Sequence, residues 1–289
     1  MTVVIGRRFG DTIIMLSDTM ISDADAGRNN AIPGRLKAIV VADRLSIAYA
    51  GHSDPALHAI RKTPVIYMNG GLPAVLEALR EFTTSGDHDV DFVVASHYPT
   101  AELRRVWDGR VSAPLDQTCI GNCTILSEVL NRFSPSGEAM TDAKTFYAAF
   151  LNAFSNRRVF AGSGVGGFPI VLEARPDGHI YRGHTLNASW RPIEFVPGAT
   201  TYEDENDLLT GEWSFRHDIL VTKQPGLAVL AVEVPQAKVG FVYAPLMEDD
   251  PDRVRLLGSY GKWTQNQSEM HAAMRAALDG MIAKICGTT

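Results

Sequence analysis

Residues 2–18, TVVIGRRFGDTIIMLSD, and residues 37–51, KAIVVADRLSIAYAG, decide the fold of this chain. The first stretch opens with a β-branched and apolar run, turns at Phe9, Gly10 and Asp11, and continues through a second run, 12–16, to Asp18. In the second stretch Lys37 opens a third run, 38–41, and after Asp43 and Arg44 a fourth, 45–50, stops at Gly51. This predicts a meander of four strands. The segment between, 19–35, has no apolar period and is rich in Asp, Asn, Gly and Pro, so it predicts a long loop at one end of the sheet.

Beyond Gly51 the pattern changes. Residues 54–62 and 73–82 carry apolar side chains at helical spacing (Leu57, Ile60; Val75, Leu76, Leu79), with Pro73 suited to a first turn, which predicts two helices over one sheet face. Strands follow at 91–96 and 103–107 around a turn at Asp108 and Gly109, with a short one at 118–120. Helices are predicted at 123–133 and 144–154, the latter capped at Thr141 and Asp142, then a hairpin of 168–174 and 179–182. A late hairpin, 227–234 with 238–243, and a final amphipathic helix, 269–285, complete the chain. The order of strands, two helices, strands, two helices, strands fits two antiparallel sheets between helical layers, an α+β protein. Residues 1–289 read as one domain, with 185–289 as a C-terminal extension or insertion packed on the core.

Composition narrows the classes. The chain has 289 residues, 45% of them hydrophobic, enough for a packed core. No apolar run approaches the roughly 20 residues of a spanning helix. In MTVVIGRRFG the arginines follow the apolar residues, the reverse of a secretory leader, so the expected location is cytoplasmic. A net charge of −6 without a dense basic run argues against nucleic acid as a partner. The acidic clusters at 203–205 and 248–250 read as solvated loops. Cys119 and Cys123 have no second cysteine pair or histidine at ligand spacing, so they read as buried thiols and no metal is expected.

Position 2 is where chemistry enters. Trimming Met1 leaves Thr2 with its own α-amine beside its hydroxyl, a base and a nucleophile in one residue. The amine's reference pKa of about 7.7–8.0 leaves a useful neutral fraction at pH 7. Asp18 and Lys37 lie at the boundaries of neighbouring strands and converge with Thr2 at one rim of the sheet. A buried lysine needs a carboxylate partner, and its charge lowers the pKa of a nearby amine or hydroxyl. Gly51, lacking a side chain, offers its N–H to an oxyanion. Each residue alone has an ordinary reading: a second residue, a turn aspartate, a strand-edge lysine, a turn glycine. Their common register favours the catalytic one.

These positions resemble the proteasome β subunits and their bacterial relative, the peptidase of the HslV type, which are N-terminal-nucleophile hydrolases. The resemblance is carried by Thr2, by Asp18 in the sequence SDT, by Lys37 and by Gly51, with a longer loop between the aspartate and the lysine. It implies a four-layer αββα sandwich, a threonine peptidase working through an acyl-enzyme on Thr2, and no cofactor. It also implies a ring-forming homo-oligomer, a peptide or unfolded-protein substrate and an ATP-dependent unfoldase as partner. Ile21 and Tyr49 match the family's pocket-wall positions, and the large ring predicts a shallow pocket for small or modest apolar residues.

Two departures stand out. Asn122 occupies the place of a serine that bonds the terminal amine, and Val165 stands where a second serine precedes a glycine pair, with the family's aspartate absent. Ser163 is a candidate for either supporting role. These departures keep two further readings open, a non-catalytic structural subunit and a small-molecule amidase. The stretch 162–167 also matches G-x-G-x-x-G, but a strand rather than a helix is predicted after it, which argues against dinucleotide binding. His52 beside Gly51 reads as structural or solvent-facing.

Overall fold

The computed structural model describes residues 2–23, 28–32, 34–85, 89–124, 142–155, 163–189, 201–203, 214–234, 239–246, 254–256 and 267–286. They form a mixed α and β protein in which every described strand pairing is antiparallel.

The four strands of the opening stretches do not form one meander. Strands β1 (Val3–Phe9) and β2 (Thr12–Ser17) pair with each other around Gly10, but β5 (Ala38–Ala42) and β6 (Leu45–Gly51) belong to a different sheet. The segment read as an irregular loop contains a hairpin, β3 (Ile21–Asp23) with β4 (Arg28–Ile32), that lies between the two pairs in the chain. Its residues, ISD and RNNAI, carry too few apolar positions for a period to be visible.

The first sheet runs β10-β1-β2-β11-β12, adding β10 (Gln117–Gly121), β11 (Ile170–Arg175) and β12 (Gly178–Tyr181). The second runs β5-β6-β7-β8-β9, with β7 (Val90–His97), β8 (Ala101–Trp107) and β9 (Arg110–Val111). Val4, Ile13, Met15 and Leu172 of the first sheet share one buried cluster with Ala48, Val93 and Leu103 of the second. Alternation sends the other side chains outward: Val3, Ile5, Ile14 and Leu16 from the first sheet, Ile39, Ile47 and Phe92 from the second. Both outer faces are covered by helices.

Helix α1 (Ser53–Thr84) covers the second sheet through Leu57, Ile60, Val75 and Leu79. It merges the two helices expected from the sequence, and the break between them falls at Gly71, whose φ of 65° is non-helical, two residues before Pro73. Helix α2 (Ala143–Ser155) covers the first sheet. Phe146, Phe150 and Phe154 recur at four-residue spacing with Ala149 and Ala153 between them, giving one apolar stripe. Each buried phenylalanine contributes about 1.5–3 kcal/mol. Asp142 caps the helix by accepting the Thr145 hydroxyl at 2.6 Å and the Thr145 N–H at 2.8 Å, which together hold its carboxyl below the ordinary range. The helix expected at 123–133 lies, from residue 125 on, outside the described residues.

A third sheet, β13-β15-β16-β17-β18, comprises His184–Ser189, Ser214–Val221, Leu230–Val234, Val239–Tyr243 and Val254–Leu256. Ile219, Leu230, Val232 and Tyr243 join the cluster between the first two sheets, while Met274 and Leu278 of helix α3 (Gln267–Cys286) pack on the opposite face. Strand β14 (Thr201–Glu203) extends the β3–β4 hairpin. Thus the C-terminal third adds to the core and to the edge of the long excursion. Among the described residues no helix is long and apolar enough to cross a membrane.

A buried polar chain bridges the two main sheets. Ser46 Oγ lies 2.8 Å from His179 Nδ1, His179 Nε2 lies 2.9 Å from His97 Nδ1, and His97 Nε2 lies 2.6 Å from the Asp11 carbonyl. The carbonyl only accepts, so His97 Nε2 carries a hydrogen; neutral His97 then accepts from His179 Nε2–H, and Ser46 donates to His179 Nδ1. Burial, reinforced by the neighbouring His97, pushes His179 down to about 3 from an ordinary 6.5. Burial also lowers His97, against the opposing pull of the Asp11 carbonyl and of the Asp11 and Asp177 carboxylates and with the help of Arg44. Below pH 6.5 the unfolded chain takes up a proton at position 179 that the folded chain refuses. Stability is therefore complete above pH 6.5 and declines as pH falls toward about 3. The expected loss is on the order of 4–5 kcal/mol, read as a falling urea midpoint. A midpoint constant over that range would show that the pair accepts protons without opening.

Candidate functional site

The site is built where the ends of β1, β2, β5 and β10 meet. Asp18 follows the last residue of β2 and is fully buried; Lys37 precedes β5 and is 2% exposed. Lys37 Nζ donates to Asp18 Oδ1 at 2.8 Å and also to the Met20 carbonyl. The same carboxylate accepts the Val3 N–H on Oδ1 at 3.3 Å and the Gly166 N–H on Oδ2 at 3.2 Å. Asp18 thus ties together the residue next to Thr2, the lysine and the glycine pair ahead of β11.

Burial governs the electrostatics. It raises Asp18 above the ordinary carboxylate range, with Lys37, the Gly166 N–H and the Val3 N–H pulling it back. It lowers Lys37 below the ordinary lysine range, with Asp18 pulling it back. The pair remains ion-paired by geometry, but its proton is held less firmly by the lysine than in water.

The segment after Asp18 is fastened from several directions. The Thr19 and Met20 N–H groups donate to the Gly166 carbonyl at 3.2 and 3.1 Å, and the Phe168 N–H donates to Thr19 Oγ1 at 2.8 Å. The Arg35 N–H donates to the Thr19 carbonyl at 2.7 Å. Both ends of the excursion are therefore pinned, so a long insertion between Asp18 and Lys37 leaves their contact intact.

Thr2 is 8% exposed and lies one residue before β1. By strand alternation position 2 falls on the side of Val4 and Gly6, the side turned toward the second sheet. Its carbonyl accepts the Asn122 N–H at 2.7 Å. Gly121, at φ 77°, is packed so closely here that a Cβ would stand 1.9 Å from the Thr2 carbonyl oxygen and 3.4 Å from the Ala50 Cβ. The ends of β1, β10 and β6 therefore meet, and Gly51, which is exposed and opposite Val90, comes directly after Ala50.

The other expected residues are distributed as follows. Tyr49 is opposite Lys37, its N–H donating to the Lys37 carbonyl at 3.1 Å, so both side chains leave the same face. Its ring is 1% exposed and packs with the cluster beneath α1, filling the position beside the lysine. Ile21 begins β3, half-buried and opposite Asn30. Asn122 reaches Thr2 through its backbone and not its side chain: Nδ2 donates to the Ser163 carbonyl at 3.0 Å, and Oδ1 accepts from Thr124 Oγ1 at 3.1 Å. Ser163 Oγ accepts the Val165 N–H at 3.1 Å. The Val165 side chain, 2% exposed, belongs to the cluster under α2. His52 is exposed, and its N–H donates to the Asp89 carbonyl at 3.1 Å.

Three contributors escaped the sequence, all acting through backbone: the Val3 and Gly166 N–H groups and the Met20 carbonyl. The glycine pair immediately ahead of β11 was the available signal for Gly166. The expectation of two buried thiols is corrected: Cys119 is partly buried, whereas Cys123 is exposed. Cys123 lies two residues past the end of β10. Among the described residues no group of three or more His, Cys, Asp and Glu side chains is placed to hold a metal.

No protein-family model matches this chain, and no curated protein matches it.

Proposed function

We propose that the chain is an N-terminal-nucleophile amide hydrolase of the proteasome β-subunit kind, with Thr2 as nucleophile after removal of Met1 and with the four-layer αββα arrangement of that class. The observation that carries it is the Asp18 carboxylate, buried and shared by Lys37 Nζ, the Val3 N–H and the Gly166 N–H. A buried ion pair contributes little net stability and is a common mark of a functional site. Here it adjoins the one residue that can carry a free amine and a hydroxyl together.

In this mechanism the Thr2 amine takes the Oγ proton as Oγ attacks the amide carbonyl. The proton passes to the leaving amine, and an ester forms on Thr2. Water, activated by the same amine, then releases the acid. Lys37 lowers the pKa of the nucleophile, Asp18 fixes the lysine, and Gly51 N–H faces the developing oxyanion, a donor worth about 2.7–4 kcal/mol. The filled position at Tyr49 favours small or modest apolar residues on the acyl side of the cut. Peptides or unfolded chains are the substrates of this proposal, with a ring of copies and an ATP-dependent unfoldase as partners.

The test begins with the intact mass of the purified protein. Loss of Met1, with labelling of Thr2 by a threonine-directed electrophile, is the expected result. Thr2→Ala should abolish labelling and peptide cleavage while leaving the unfolding midpoint within about 1 kcal/mol of the parent. Retained Met1, or full cleavage by Thr2→Ala, would refute the mechanism. A peptide panel set against small amides separates a peptidase from a small-molecule amidase.

One observation favours a second reading, a non-catalytic assembly subunit: Val165 contributes a core side chain where the second serine is expected, and the Asn122 amide, at the place of the serine that bonds the amine, is engaged with Ser163 and Thr124. Retained Met1 together with ring assembly is its signature.

A further inference from the structure

Cys119 and Cys123 bracket the turn that holds Thr2. Cys119 is on β10, paired with Ile5 of β1, and is packed partly against the cluster under α2. Cys123 is exposed, beyond the end of the strand. Between them are Ile120, Gly121 and Asn122, the last two contacting the Thr2 carbonyl by close packing and by a hydrogen bond. The Cys123 N–H closes the turn by donating to the Gly121 carbonyl at 3.0 Å. Both cysteines are free thiols, four residues apart across this turn, and the Cys119 thiol faces the Ile120 carbonyl at 3.9 Å.

We propose that Cys119 and Cys123 form a reversible disulfide that alters the hold of the Gly121–Asn122 turn on Thr2. The division of labour follows from exposure. Cys123 meets solvent oxidants first. A peroxide converts its thiol to a sulfenic acid, with release of one water. The Cys119 sulfur then attacks the sulfenic sulfur, the S–S bond forms, the S–O bond breaks, and the Cys119 proton leaves with the hydroxyl as a second water. Burial, and then the adjoining Cys123, hold the Cys119 thiol above its ordinary range, with Arg105 opposing. Cys119 is consequently slow toward oxidants in bulk solution.

The mechanical consequence follows from what can move. A disulfide draws its sulfurs to about 2.0 Å, much closer than two unbonded thiols approach. Cys119 is fixed within five consecutive residue pairs between β1 and β10. Closure therefore displaces Cys123 and the turn rather than the strand, and the Asn122 N–H bond to the Thr2 carbonyl lengthens or breaks. The effect on catalysis rests on Thr2 being the nucleophile; the disulfide and the change at Asn122 do not.

The experiment uses the full-length protein, treated with hydrogen peroxide and then with a dithiol reductant. Trypsin releases both cysteines on one peptide, 111–132, and Cys286 on another. Peptide 111–132 is expected to lose two hydrogens on oxidation and regain them on reduction. Hydrogen exchange at the Asn122 amide should accelerate at least severalfold in the oxidised form. Cys119→Ser should instead drive Cys123 to sulfinic and sulfonic acids. Two separately alkylatable thiols after peroxide, or a disulfide with unchanged exchange at Asn122, would overturn the proposal. Threonine-directed labelling, run in parallel, reports on the proposed function: no labelling in either redox state defeats that function and leaves the peptide and exchange results standing.

Discussion

Lys37→Ala is expected to destabilise the fold by about 3–5 kcal/mol and to slow electrophile labelling of Thr2 by about 10²–10⁴-fold. The stability loss arises because Asp18, fully buried, is left with two backbone N–H donors and no counter-charge. The kinetic loss arises because the charge that lowers the pKa of the nucleophile is gone. A double variant separates the two effects. Asp18→Asn with Lys37→Met removes both charges and keeps an apolar stem in the lysine's place, and replacing a buried ion pair with neutral groups is often close to neutral in stability. Its urea midpoint should recover most of the loss while labelling stays slow. A recovered labelling rate in the double variant, or a parental rate in Lys37→Ala, would remove the lysine from the mechanism and leave the pair as a fastening of the excursion.

Gly121→Ala is expected to reduce Thr2 labelling by about 10²-fold or more with a stability loss of about 1–3 kcal/mol. The residue adopts φ 77°, a conformation that a side chain disfavours, and the added carbon would stand 1.9 Å from the Thr2 carbonyl oxygen. Since the nearest atoms are backbone, neither side yields by a rotamer change. Either Thr2 shifts or the end of β10 withdraws, and both break the 2.7 Å bond from the Asn122 N–H. A misplacement of about 1 Å at the nucleophile accounts for the rate loss. Labelling at the parental rate, with the midpoint lowered as expected, would show that the position of the Thr2 carbonyl is immaterial to its reactivity.

Much of this arrangement was legible before folding was considered. The strands around Gly10 and around Asp43 and Arg44, the hairpin at Gly178, the stripe of phenylalanines in α2 and the last helix all have a period that the chain displays locally. Asp18 and Lys37 were recognisable because each bounds an apolar run, Asp18 at the end of one and Lys37 at the start of another, with a charge that a sheet end buries. The β3–β4 hairpin was not, because its strands are short and polar and gain their partner, β14, from residues 201–203. Nor was the contribution of Gly166, which acts through its N–H and leaves no side-chain signature. The assignment of Tyr49 to the packed layer beneath α1, and of Val165 to the layer beneath α2, likewise depends on which face each backbone turns inward.

By itself, then, the amino-acid order determined the local elements and the identity of the charged pair, since hydrophobic period, turn residues and terminal charges act over a few neighbouring positions. The tertiary structure alone decided that β1–β2 and β5–β6 belong to two sheets, that Asp18 binds the Val3 N–H as well as Lys37, and that the Cys119–Cys123 turn presses on Thr2. The physical reason is that these contacts join residues through burial and backbone hydrogen bonds across sheet ends, where neither sequence spacing nor residue type records the partner.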